Sequence, residues 1–414
     1  MTDKTVVVLG GAGGIGRVAA TALAPTDDAD RVVVADLASD AAAAVVAGIG
    51  DPRFEAATVD VSDPASVADV VADATVVVNC VGPFYRFGPP TLAAVIDAGI
   101  DYIDVCDDLD ATRSMLALGG RARDAGVRAL VGMGNSPGLA NIFVKLCDEW
   151  FLDETHRVEI MHIHGGEPDE GPAVLKHRIH AMTNDVPLFV DGEFVDVRML
   201  EESGAPYIRD EDFHGVGTYP VHPYPHPETI TLPTVFPALR TATNLGVVFP
   251  LPYFRMTQDL VRAGLASEEP LDVLGHPVAP IDVLVALLRR ERPRLLVEAG
   301  VTGPAGCLKV VVEGCKGDER HTYVCSLFSS DVGAGEGTGI PAALAALLAL
   351  RGELTGGPGV HAPEAIVPVV PLLELAGAVV ATMGIGGGSL PLRVEHIGPD
   401  GAIEEVPFDL GTMA

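Results

Sequence analysis

The chain has 414 residues, enough for two domains with separate cores, and its 48% hydrophobic against 20% charged residues suit a globular α/β protein rather than a disordered one. A formal net charge of −30, from 57 acidic against 27 basic side chains, excludes nucleic acid and anionic membrane surfaces as expected partners, because both demand lysine and arginine. Only five of the basic residues are lysines, and so acidic a surface repels its own copies and favours solubility.

The first predicted strand, residues 5–9, runs into Gly10 and then Gly11-Ala12-Gly13-Gly14-Ile15-Gly16, a G-x-G-x-x-G turn that opens a helix over 14–24. Such a turn needs Gly11 for its tightness, Gly13 for close approach of a pyrophosphate and Gly16 for packing of helix on strand. The helix N-terminus, with the amides of Gly14 and Ile15, supplies unpaired N–H groups and a positive dipole end. A second strand, 32–36, ends at Asp36, twenty positions past Gly16, where a carboxylate accepts bonds from an adenosine ribose and repels a 2′-phosphate. NAD is therefore the expected cofactor, with NADP not excluded because Arg17 lies near enough to meet a phosphate.

Strands at 56–60, 75–80, 101–105 and 128–132 follow, alternating with helices at 39–48, 64–72, 89–98 and 111–125. This alternation predicts a Rossmann-type, doubly wound parallel sheet. Ligands bind beyond the carboxyl ends of such strands, which selects three further groups. Asp60-Val61 falls where an adenine would lie, and Cys80-Val81-Gly82-Pro83-Phe84 where the pyrophosphate and nicotinamide ribose would pass. Cys106-Asp107-Asp108 falls on the nicotinamide side, where a carboxylate or thiolate serves as a proton acceptor; Asp107 or Asp108 equally suits a helix cap.

The turn-rich Gly132 to Gly138 leads into a helix from Leu139 to Trp150 and marks a domain crossover. From about 155 to 330 the chain reads as β-rich, with strands over Arg157 to His164 and Ala173 to Met182, a helix over Ile281 to Arg289 and a hairpin over Leu308 to Phe328. Eight of the twelve histidines fall between 156 and 226. His162 and His164 share a strand face without an evident third ligand, so no metal site is expected. Read as a strand, Lys176, Arg178 and His180 share one face, suited to a carboxylate. His226 in the turn before Thr229 is a candidate acid–base group. A helix opens at Thr338 to Pro341 and continues to Arg351, and the apolar stretches 340–350 and 365–383 are core rather than membrane segments. The expected domains are a dinucleotide-binding domain over 1–138, an inserted α+β substrate and dimerisation domain over 139–344, and a segment 345–414 returning to the first domain.

The six cysteines form no C-x-x-C pair, which points to reduced thiols in a cytoplasmic protein, and a strand beginning by residue 5 leaves no space for a signal peptide.

These motifs, in this order, resemble the saccharopine dehydrogenase-like family. The resemblance is carried by Gly10 to Gly16, Val78-Asn79-Cys80-Val81-Gly82-Pro83-Phe84, Tyr102 to Asp107, Gly132 to Leu139, Pro225-His226-Pro227-Glu228-Thr229, Thr338 to Ala343 and Gly359 to Glu364. It implies an NAD(P)-dependent oxidoreductase acting at a carbon–nitrogen centre of a small amine or amino acid. It also implies a homodimer and a cofactor domain interrupted by a substrate domain. Two alternatives stand beside it. A short-chain-type carbonyl or enoyl reductase would need a Tyr-x-x-x-Lys pair, and no tyrosine here has lysine four residues later. A non-catalytic dinucleotide sensor would need no closed substrate pocket.

Overall fold

In the computed structural model, residues 3–330, 333–385 and 391–407 are described. Six strands alternate with helices in the first part of the chain: β1 (Thr5–Leu9), β2 (Arg31–Asp36), β3 (Phe54–Thr58), β4 (Val76–Asn79), β5 (Asp101–Asp104) and β6 (Arg128–Leu130). Runs of valine make β1, β2 and β4 almost continuously buried, as strands covered by helices on both faces must be. With Gly359–His361 added beside β6, seven parallel strands lie in the order Gly359–His361, β6, β5, β4, β1, β2, β3. The order reverses between β1 and β4, and the crevice at that switch point opens above their carboxyl ends.

The second sheet is mixed. Its path runs Arg209–Phe213, Gly217–Pro223, Thr241–Phe249, Glu154–Gly165, Ala305–Lys316, Glu319–Ser330, Leu392–Ile397 and Ile403–Val406, with Val186–Val190 and Glu193–Val197 branching from Thr241–Phe249. Helix Leu139–Trp150 covers one face, setting Phe143, Val144 and Cys147 against Val158, Ile160, Val310 and Val312. Helices Pro172–Ala181, Leu251–Leu260 and Pro280–Glu298 cover the other, through Leu175, Ile179, Phe254, Leu284 and Leu288. Among the described residues, no helix is long and apolar enough to cross a membrane.

Three expectations need correction. Residues 173–182 are helical, not extended: Pro172 sits at the first helical position, and Leu175, Ile179 and Met182 are buried at the i, i+4, i+7 spacing of one helix face. Lys176, Arg178 and His180 therefore share no strand face. Lys176 instead pairs with Asp282 at 2.8 Å, and Arg178 turns into the core. The helix expected from Thr338 begins at Ala334, so that Pro341 lies in its interior. Its glycines lower local helix propensity but permit a close crossing, since a Cβ at Gly339 would lie 2.6 Å from the Ile15 carbonyl oxygen. The carboxyl-terminal segment returns to the first domain through residue 383, with helix Val369–Met383 packed into the first core, but not beyond. Gly359–His361 joins β6, whereas Leu392–Ile397 pairs with Glu319–Ser330 and extends the second sheet.

Candidate active site

The glycine-rich turn has the form its sequence predicts. A Cβ at Gly11 would stand 2.6 Å from the Val34 side chain, and one at Gly16 would stand 2.1 Å from the Gly10 carbonyl oxygen, so the turn closes only with glycine at both. Gly13 is less confined, with a Cβ 3.2 Å from the Gly10 carbonyl oxygen, and a Cβ at Gly14 would meet nothing within 4 Å. Helix Gly16–Leu23 begins here, and its first amides have no acceptor within the helix. The Asp36 carboxylate reaches the same turn, taking the Ala12 amide on Oδ2 and the Ala38 amide on Oδ1, both at 3.0 Å. A carboxylate has about four lone-pair sites, so Asp36 braces the turn and retains capacity for ribose hydroxyls. The Gly11, Ala12 and Gly13 amides are paired with Ala35, Asp36 and Gly10, which leaves the amides of Gly14 to Gly16 beside the strand-end carboxylate to fit a dinucleotide. Asp60 is engaged in its own turn, accepting the Ser62 amide and hydroxyl at 2.9 and 2.6 Å, and Val61 packs against the first core. Neither lines the cavity between the two sheets.

That cavity, about 510 Å³, lies between the carboxyl edge of the first sheet and the second sheet. Ile15, Cys80, Gly82, Pro83 and Phe84 line one side, while Asp107, Ser136, His177, Tyr224 and His226 face it from the other elements. Of the β4 group, Val81 instead packs against the core, its amide held by Asn79 at 3.0 Å. Burial, with Asp104 nearby, pushes the Cys80 thiol up to about 12, leaving it a neutral wall.

Asp107, Asp108 and Cys106 follow β5, but their side chains diverge. The Asp107 side chain is 34% exposed and lies 3.2 Å from Nε2 of His177. Asp108 is buried; its Oδ1 meets His177 Nδ1 at 2.7 Å and its Oδ2 accepts the Tyr85 amide at 2.9 Å. Cys106 does not reach the cavity. Its thiol is enclosed beside the Asp108 carbonyl and Thr112 hydroxyl, and burial pushes it well above the usual thiol range.

His177 is the residue that sequence reading missed, because a residue treated as extended could not be aimed at β5. On the helix, His177 and His180 share one face, and His180 Nε2 meets Asp110 at 3.1 Å while its ring stacks on Tyr85. Burial favours neutral His177, but Asp107 and Asp108 outweigh it and raise its pKa to about 9. Burial raises Asp107 to about 6 against the pull of His177. The same burial acts on Asp108, where His177 and the Tyr85 amide prevail and lower it.

His226 approaches from the loop after Gly217–Pro223. Its ring stacks on His162 with centroids 4.8 Å apart, and burial keeps it neutral by lowering its pKa well below the usual value. Asp107, His177 and His226 each bring a potential donor atom within 4.8 Å of the others, the spacing of a metal-ligand set. In the metal-free site the two carboxylates hold His177 protonated, and a metal would have to displace that proton.

The protein-family comparison matches residues 6–130 to the saccharopine dehydrogenase NADP binding domain. The chain is 24% identical over 369 residues to carboxyaminopropylagmatine dehydrogenase from Synechocystis, covering 84% of this chain and 89% of the relative. It is 25% identical over 403 residues to carboxynorspermidine synthase from Vibrio cholerae, covering 88% and 92%. The fold resembles apo saccharopine dehydrogenase (L-Glu forming) from Saccharomyces cerevisiae, with a TM-score of 0.65, 17% identity, and coverage of 98% of this chain and 100% of the other. Glycine turn, strand-end carboxylate, two-sheet architecture and near full-length relatives agree: residues 6–130 are an NAD(P)-binding domain of the saccharopine dehydrogenase type, and the chain is saccharopine dehydrogenase-like over most of its length.

Proposed function

We propose that the protein interconverts an amine and an imine at a carbon–nitrogen centre of an amino-acid-like or polyamine-related substrate, using NAD in preference to NADP. The observation that carries this reading is Asp107, a partly exposed carboxylate beside protonated His177, in the same cavity as Ile15, Gly82, Pro83 and Phe84. The names of the two long relatives support the substrate class.

When bound, the dinucleotide supplies hydride transfer. The chain supplies the rest. Gly11 to Gly16 would hold the diphosphate, Asp36 the adenosine ribose, and the Cys80 to Phe84 turn the nicotinamide end. Amine oxidation requires a neutral amine, and Asp107 takes the proton that an ammonium substrate carries. Asp108 acts through His177: it fixes the ring, and the ring's positive charge keeps Asp107 available as a carboxylate near neutral pH. Apolar Phe84, Leu139 and Phe143 line the same cavity and exclude water around the reacting carbon.

The direct test is a screen of amines and amino acids, including carboxynorspermidine and carboxyaminopropylagmatine, with NAD⁺ and NADP⁺ in concentrated KCl. Reduction of the coenzyme by an N-carboxyalkyl amine is expected; silence across the panel in both reaction directions counts against the reading. Cofactor choice has a separate check. Asp36→Ala should weaken NADH binding about tenfold by calorimetry, the loss of one to two hydrogen bonds to a charged acceptor, and weaken NADPH less or strengthen it. Equal loss for both coenzymes would reduce Asp36 to a brace for the turn.

A further inference from the structure

One polar cluster beside the cleft has no part in the chemistry assigned to Asp107. Ser136, in the loop that precedes helix Leu139–Trp150, donates its hydroxyl proton to Glu228 Oε1. Glu228 is the first residue of helix Glu228–Val235 and is fully buried, and its Oε2 has no hydrogen-bond partner among the described residues. Ser136 Oγ also lies 3.3 Å from Asn244 Nδ2 and 3.3 Å from His226 Nδ1.

The direction of the chain follows from counting protons. A serine hydroxyl has one proton and two lone pairs. While Glu228 is ionised the serine proton points to it, so the serine lone pairs accept N–H from Asn244 and from His226 Nδ1. Neutral His226 therefore carries its proton on Nδ1 and leaves Nε2 as a bare lone pair. His162, stacked on the ring, holds its plane. A carboxylate stored out of water, a hydroxyl bridge and a neutral imidazole thus stand in series at the wall of the cavity.

We propose that His226, Ser136 and Glu228 form a proton relay that serves the hydrolytic half of the reaction, a role that rests on the amine–imine reading. Once hydride has left the substrate carbon, a lone pair of water forms the C–O bond and the C=N π pair moves onto nitrogen. The water proton passes to His226 Nε2. The Nδ1 proton passes to Ser136 Oγ, and the serine proton passes to Glu228. His226 ends neutral in its other tautomer, and Glu228 ends as the carboxylic acid. In the reductive direction the same atoms return the proton as the carbinolamine loses water. Asp107 takes the amine proton and the relay takes the water proton, so the two transfers use separate acceptors.

Burial sets the Glu228 acid up to about 7, which suits a group that fills and empties near neutrality. Glu364 and Asp107 add to that rise, His162 and His177 face His226, and Lys145 faces Glu364. Any titration of the relay is read against those groups.

Two measurements on the full chain test the proposal. The first needs no substrate: ¹⁵N-histidine NMR of cofactor-free protein at pH 8, where Glu228 is ionised. His226 is expected as the neutral Nδ1–H tautomer, and Ser136→Ala should shift it toward Nε2–H while Ser136→Thr restores it. A wild-type His226 that is Nε2–H or doubly protonated overturns the relay, as does Co²⁺ binding that shifts the His226 and His177 resonances together. The second uses carboxynorspermidine or carboxyaminopropylagmatine with NAD⁺. Glu228→Gln should lower kcat about 100-fold, the low end of general acid–base effects, with KM and NADH binding little changed. It should also turn a curved solvent proton inventory into a linear one. Unchanged kcat or an unchanged inventory overturns the proposal. If wild type acts on neither compound, the substrate reading fails, and the tautomer measurement still decides whether the relay exists.

Discussion

Asp107→Asn is expected to lower turnover by about 100-fold to 10,000-fold, the range for removing a positioned general base, while coenzyme binding survives. Asparagine matches aspartate in shape but cannot take a proton from an ammonium substrate. The wild-type pH profile should identify the same group. Asp107 becomes active as it loses its proton, so oxidation should rise through about pH 6. His177 holds its charge until about pH 9, and loss of that charge removes the attraction that keeps Asp107 ionised and in place. The rate should therefore fall again as pH passes about 9. Asp108 and His177 face Asp107 most closely, His226 and Tyr224 lie across the cavity and Glu228 is buried near it, so the acid limb is best assigned by its disappearance in Asp107→Asn. Asp108→Asn tests positioning: it should lower the upper limb toward the ordinary histidine range while retaining more activity than Asp107→Asn. An Asp107→Asn protein with more than about a tenth of wild-type turnover would remove Asp107 from the chemistry.

The contrast between Asp107 and His177 marks how far the chain could be read before folding. Asp107 announces itself because a residue just past a parallel strand faces the ligand crevice, and β5 is legible from Tyr102-Ile103 alone. The glycine turn and helix Leu139–Trp150 are legible for similar reasons, since glycine spacing and apolar period are local signals. His177 depends on one decision about Ala173 to Met182. That segment groups three apolar residues before three basic ones, so it carries no clean alternation, and Leu175, Ile179 and Met182 fit a helix face only in a window too short to be decisive. The wrong period turned His177 away from β5 and placed Arg178 on a surface strip instead of in the core. Ser136 and Glu228 lie 92 residues apart and carry no local signal for their contact. Only the packing of the second sheet against the first brings them together. The strand Leu392–Ile397 is illegible for another reason: its hydrophobic pattern is short, and its place beside Glu319–Ser330 is set by long-range pairing.

Glu170→Ala is expected to destabilise the protein by about 3–5 kcal/mol, the usual effect of removing one partner from a buried ion pair. Glu170 is buried between two guanidiniums. Arg178 donates to both its oxygens at 2.9 and 2.6 Å, Arg292 stands 2.9 Å from Oε2, and the Tyr253 hydroxyl donates to Oε2 at 2.9 Å. These partners come from helices Pro172–Ala181, Pro280–Glu298 and Leu251–Leu260, so one carboxylate ties three helices to the second sheet. Arg292 has a further hold on the Glu167 carbonyl at 2.6 Å, and its guanidinium lies 4.8 Å from the centroid of the Tyr253 ring. Removing Glu170 leaves two buried cations without their shared counter-charge. Burial alone would push the Glu170 carboxyl up; the guanidiniums reverse this and hold it at about 2. Its folded value is thus below the unfolded one, so its stabilisation is complete above about pH 4.5 and drains away as pH falls toward 2. Urea unfolding at neutral pH and fixed salt should show the full loss in Glu170→Ala and a smaller one in Glu170→Gln, which keeps hydrogen-bond capacity without the charge. The deficit should shrink as pH falls below about 4.5. Arg178 follows His177 on the same helix, so the damage reaches the cleft: Glu170→Gln should retain coenzyme binding through the first domain but lose turnover as His177 loosens from Asp108. A midpoint equal to wild type in Glu170→Ala would mean that water, not the carboxylate, compensates the two arginines.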